Sequence, residues 1–71
     1  MSGDIAHFEE LANAITSVSP VPILYEAPHG AAKGCFNHVT EEILVRPGMS
    51  QKQTVKTMLH EISHATLHRR K

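Results

Sequence analysis

The chain has 71 residues, 41% of them hydrophobic, and its seven basic residues balance its seven acidic ones. A chain of this length buries only about 60% of the surface its unfolded form exposes, so it supports a single small domain, residues 1–71. A membrane protein is excluded as an expectation, since no apolar run approaches the roughly 18–20 residues of a spanning helix. Met1-Ser2-Gly3-Asp4 lacks the basic start and apolar stretch of a secretory leader, and a cytoplasmic setting is expected.

Ile5, Phe8, Leu11, Ala12 and Ile15 recur at three- and four-residue steps, which predicts an amphipathic helix over 4–17 with Asp4 as its N-cap. Pro20 stops it by disfavouring helical geometry at the preceding residue. Residues 21–25 form a short β-favouring run, and Pro22, lacking an amide donor, places it at a sheet edge. Residues 27–34 are loop by their Gly and Pro content. Two strands, 35–38 and 42–46, are expected to pair as a hairpin around 39–41. Pro47-Gly48 breaks the second strand. Ser50, followed three residues later by Gln53, reads as a capping box. The helix it opens runs from 51 towards 69, with Arg69, Arg70 and Lys71 suiting its C-terminal dipole. The expected fold class is therefore α+β: an N-terminal helix, a small antiparallel sheet of strand plus hairpin, and a C-terminal helix that carries the candidate active site.

Charge is unevenly spread. Asp4, Glu9, Glu10, Glu26, Glu41 and Glu42 precede residue 46 with only Lys33 as a base, whereas Arg46, Lys52, Lys56, Arg69, Arg70 and Lys71 follow with only Glu61 as an acid. Attraction between the halves is the reading preferred over recruitment of an anionic partner. The single Cys35 excludes an internal disulfide and a thiolate-only zinc site. Six histidines in so short a chain point instead to metal chemistry.

The second helix carries His60-Glu61-Ile62-Ser63-His64. Residues four apart on a helix lie one turn above each other, so both imidazoles can reach one ion. Glu61, about 100° from His60 around the axis, is expected to approach a bound water without acting as a ligand. Zinc brings the pKa of such a water towards roughly 7 and polarises a carbonyl. Glu61 would accept the proton during attack on a peptide carbonyl and return it to the leaving amine. Val55, Met58, Leu59, Ile62 and Thr66 share one arc of the helix, which is expected to face the sheet and leave the opposed His60 and His64 lining a cleft. A catalytic zinc takes three protein ligands. His68 lies about 12 Å along the axis from His60, too far to share the ion. Nothing in the sequence selects among His29, His38, Cys35, Glu41 and Glu42. The third ligand is therefore expected beyond Lys71, with the chain forming the N-terminal part of a larger domain.

The stretch from Gly34 to His68, GCFNHVTEEILVRPGMSQKQTVKTMLHEISHATLH, resembles the ImmA/IrrE metallopeptidase family, especially the ArdC-like and LtrC-like antirestriction and mobile-element branch found on plasmids and conjugative elements. In that branch a hairpin of the form "G-aromatic… E-I-h-V" leads through a glycine-containing turn into a helix with HExxH, commonly followed by A-x-L-H. The resemblance implies a truncated zincin-like domain of the gluzincin type, with His60 and His64 as zinc ligands and Glu61 as catalytic base. It also implies an acidic third ligand from a downstream helix. A protein or peptide substrate in a mobile-element or regulatory setting follows from the same kinship.

The leading expectation is thus a Zn2+-dependent metallopeptidase that binds extended substrate along an exposed strand edge. One alternative is a non-catalytic metal-binding or protein-interaction module, with self-association through an exposed truncated face. Another is a nucleic-acid-associated antirestriction module using Lys52, Lys56, Arg69, Arg70 and Lys71. Zero net charge and only Phe8, Tyr25 and Phe36 for stacking argue against direct nucleic-acid binding.

Overall fold

A computed structural model describes residues 6–69. The elements follow as α1 (Phe8–Val18), β1 (Ile23–Leu24), β2 (Gly34–Asn37), β3 (Glu42–Val45) and α2 (Gln51–Arg69), an α+β arrangement of two helices and one sheet. Among the described residues no helix is long and apolar enough to cross a membrane.

Helix α1 begins later than the periodicity implies. Asp4 and Ile5 lie outside the described residues, and His7 occupies the cap position in a left-handed conformation, φ 58° and ψ 38°. Its carbonyl accepts the first helical bond from the Leu11 N–H at 3.0 Å. Its ring makes no cap bond and instead meets Glu10, Nδ1 to Oε1 at 3.2 Å. The helix ends at Val18 with Ser19 extended, where Pro20 requires it. Ala12 and Ile15 are its buried residues, with Phe8 packed partly against the core.

The sheet is mixed rather than wholly antiparallel, which corrects the sequence expectation. Strand order is β1-β3-β2, with β1 parallel to β3 and β2 antiparallel to it. The reason is geometric: the chain reverses once between β1 and β2 and again between β2 and β3, so the first and third strands run the same way. Strand β3 takes the centre because Ile43 and Val45 are fully buried. Pro22 is at the edge, as its missing donor demands, and its carbonyl accepts the Ile43 N–H at 2.9 Å. In the hairpin, Gly34 faces Val45 and Phe36 faces Ile43. The turn is held by Asn37, whose Oδ1 accepts the N–H groups of Val39 and Thr40 at 2.9 and 3.2 Å.

Helix α2 starts where the sequence places it. Ser50 Oγ accepts the Gln53 N–H at 3.1 Å, which is half of a capping box. The reciprocal half does not form, because the Gln53 amide donates forward to Thr57 Oγ1 at 3.2 Å. The core joins Ala12, Ile15 and Val21 to Ile43, Val45, Met58 and Ala65. Arg69 and Glu41 pair at 2.6 Å, one direct link between the acidic and basic parts of the chain. Arg70 and Lys71 lie outside the described residues.

The face of α2 that meets the sheet is a second correction. Thr54, Thr57, Met58, Glu61 and Ala65 are buried, whereas Leu59 is 53% exposed and Thr66 is exposed too. Val55 and Ile62 are only partly covered. At 100° per residue the buried stripe is turned by about a quarter of a revolution from the apolar arc, towards Glu61. Close approach decides the matter. A Cβ on Gly34 would sit 2.5 Å from Thr57 Cγ2, 3.1 Å from the Leu44 carbonyl oxygen and 3.4 Å from Glu61 Cγ. The helix rests its small and polar residues where β2 has no side chain, at a distance the larger aliphatic residues could not reach.

Candidate metal centre

The same rotation sets the geometry of the histidine motif. His60 and His64 are exposed on the flank of α2, beside the buried stripe rather than opposite it. Their ring centroids are 4.5 Å apart with planes tilted by 58°. Glu61, between them in sequence, is turned inward against β2, its side chain only 8% exposed. Its Oε1 lies 3.6 Å from His64 Nδ1, too long for a hydrogen bond. One ligand atom from each of His60, Glu61 and His64 falls within 4.8 Å of the others, so the group could hold a metal ion.

The donor chemistry fits a borderline divalent cation. Two imidazoles and one carboxylate are ligand types that zinc accepts. Burying a carboxylate is costly unless it is paired or coordinates a metal, and the ionic partner of Glu61 here is an imidazole beyond bonding distance. A cation drawn between them would satisfy all three groups. Glu61 therefore lies closer to the ligand set than the sequence reading, which kept it apart from the ion, expects.

The remaining candidates go elsewhere. His68 turns to the hairpin, its ring 5.4 Å from Phe36 and 6.0 Å from His38. Glu41 is taken by Arg69. Glu42 accepts a hydrogen bond from Thr40 at 3.1 Å. His29 is exposed on the loop and Cys35 is a half-buried free thiol on β2. Among the described residues, none of these joins His60, Glu61 and His64.

A cleft of about 340 Å³ adjoins the centre, lined by Lys33, Gln53, Lys56, Thr57 and His60. His60 faces it as expected; His64 is not among its lining residues. Sequence reasoning missed the roles of Gly34, Thr57 and Lys33 around it. The available signal was the glycine at the start of an otherwise apolar strand, which marks close approach of another backbone. The backbone of Lys33 is fixed by Arg46, whose N–H donates to the Lys33 carbonyl at 2.8 Å. The Arg46 guanidinium ties down the preceding loop through the carbonyls of Ala32 at 2.8 Å and Gly30 at 2.6 Å.

Comparison with family models, with characterised proteins and with solved structures gives no match to this chain.

Proposed function

We propose that this chain is a zinc-dependent metallopeptidase domain of the HExxH type, related to the ImmA/IrrE peptidases, acting on peptide bonds of a protein substrate. The observation that carries the reading is the convergence of His60, Glu61 and His64 within 4.8 Å, with both imidazoles open to solvent and the carboxylate held against the sheet. When bound, zinc supplies Lewis acidity towards a carbonyl and towards water.

The residues of the chain do the rest. His60 and His64 would hold the cation, one turn apart on a helix that is anchored through Thr54, Met58 and Ala65. Glu61 would accept a proton from water at its carboxylate and pass it to the departing amine. Burial of Glu61 against β2 would restrict where its carboxylate can swing, which supports a pre-positioned base. Lys33 and Lys56 flank the approach on the His60 side. A third protein ligand from outside the described group would complete a catalytic site.

The test is zinc-dependent cleavage of a peptide library, compared between the parent chain and Glu61→Gln. Zinc-dependent cleavage that the amide variant lacks supports the reading. A parent that binds zinc through His60 and His64 yet cuts nothing leaves a non-catalytic metal-binding module, which the three-donor count favours as the second reading.

A further inference from the structure

We propose that the cleft beside His60 is a carboxylate-binding subsite, in which Lys33 and Lys56 hold an acidic side chain of the peptide substrate. The inference rests on the peptidase reading for its substrate class, but its chemistry comes from the cleft alone. The two charged residues among those lining it, Lys33 and Lys56, are both cationic. One comes from the residue just before β2 and the other from α2, so they approach from two separate elements. Lys33 is not on a loose loop: its carbonyl is bonded to the Arg46 backbone and the loop before it is tied by the Arg46 guanidinium. Gln53 and Thr57 add polar groups already oriented by their mutual hydrogen bond.

Position makes this a specificity element. Lys56 stands one helical turn before His60, about 6 Å along the axis, and His60 belongs to both the cleft and the metal-competent group. A substrate residue seated between the lysines therefore lies next to the bond presented to the metal centre. No acid lines the cleft, and Glu61, next in sequence to His60, is turned inward beside His64, which leaves the lysines' charge open to an incoming carboxylate. Nucleic acid is the less favoured occupant. Two cations neutralise few phosphates, and the cleft has no Phe, Tyr or Trp, its one ring being that of His60 in the metal-competent group.

The experiment measures fluorescence anisotropy of labelled peptides on the full chain, zinc-loaded and zinc-free. Three peptides are blocked at both ends and carry a central Glu, Gln or Lys; a fourth has no acid but a free terminal carboxylate; a single-stranded oligonucleotide is the fifth probe. An exposed ion pair is worth up to about five-fold in affinity. With two lysines the ceiling is about 25-fold, and the Glu peptide is expected to bind about ten-fold more tightly than the Gln peptide at low salt. In Lys33→Gln/Lys56→Gln the preference should fall below about two-fold, while zinc affinity and circular dichroism stay unchanged. Preference for the free terminal carboxylate over the internal Glu would keep the subsite and reassign its source to a chain end. Equal binding of Glu and Gln peptides, a preference that survives loss of both lysines, or capture of the oligonucleotide alone would overturn it. Cleavage is followed in parallel. Acid preference without hydrolysis removes the peptidase reading and keeps the subsite, whereas hydrolysis indifferent to the acid does the reverse.

Discussion

The carboxylate of Glu61 and the ring of His64 stand 3.6 Å apart across the boundary between core and solvent, the first 8% exposed and the second 54% exposed. That gap is wider than a hydrogen bond, so the carboxylate does not tie up the ring that the proposed site gives to the metal. His64→Ala is therefore expected to weaken zinc binding by roughly 100-fold or more, beyond the 10–100-fold typical when only an outer partner is lost. Competition against a chromophoric chelator measures it. Parent-like affinity in the variant removes His64 from the site.

Glu61 separates metal binding from stability. A buried carboxylate carries a desolvation cost that an apolar side chain of similar volume does not, and the partner left behind, His64, is 54% exposed and stays hydrated. In the metal-free chain, Glu61→Leu should raise the unfolding free energy by about 1 kcal/mol. Excess zinc should then stabilise the parent and this variant alike, since His60 and His64 are kept in both and linkage rewards the form that binds. Chemical denaturation with chelator and with zinc gives both numbers. A destabilised Glu61→Leu in chelator would show that the carboxylate has structural partners of its own.

Gly34→Ala should destabilise by about 1–3 kcal/mol, the usual cost of overpacking, because the added carbon meets Thr57 Cγ2 at 2.5 Å. Thr57→Ser removes that methyl while keeping the hydroxyl that accepts from Gln53. The double variant should recover most of the loss, a coupling that a thermodynamic cycle reads directly. Additive effects would mean that the Leu44 carbonyl, not the helix, is the obstacle.

At the start of α2, the two halves of the apparent capping box should behave differently. Ser50→Ala loses the cap bond to the Gln53 N–H and should cost about 1 kcal/mol. Gln53→Ala should change stability by no more than about 0.5 kcal/mol, since its side chain bonds Thr57 rather than Ser50. Equal costs measured by denaturation would restore the reciprocal box.

Much of this was legible in the residues themselves. The hairpin, the edge position of Pro22 and the span of α2 follow from local rules about donors, caps and breakers, and they stand. What local rules could not supply was the direction of β1, which depends on two chain reversals and on which strand is most buried. Nor could hydropathy find the buried face of α2. It rewards Leu59 and overlooks Thr57, yet the missing side chain at Gly34 draws the smaller residues inward and leaves Leu59 exposed. The His60–His64 pair was legible because helical spacing alone brings the two rings together. The inward turn of Glu61 was not, since it depends on a glycine in a strand far away in sequence.

The parallel ladder between β1 and β3 also dictates an order of assembly. Strands β2 and β3 are joined by a tight turn, so the contacts between them close the shortest loops in the sheet. Ile23 meets Ile43 only after the intervening segment has been gathered in, a slower closure by chain entropy. Strand β1 should thus pair after the hairpin has formed and leave before it opens, with amide protons that exchange sooner than those shared by β2 and β3. The strand against which Glu61 rests belongs to that early hairpin, so the floor beneath the metal-competent group does not wait for the parallel pairing.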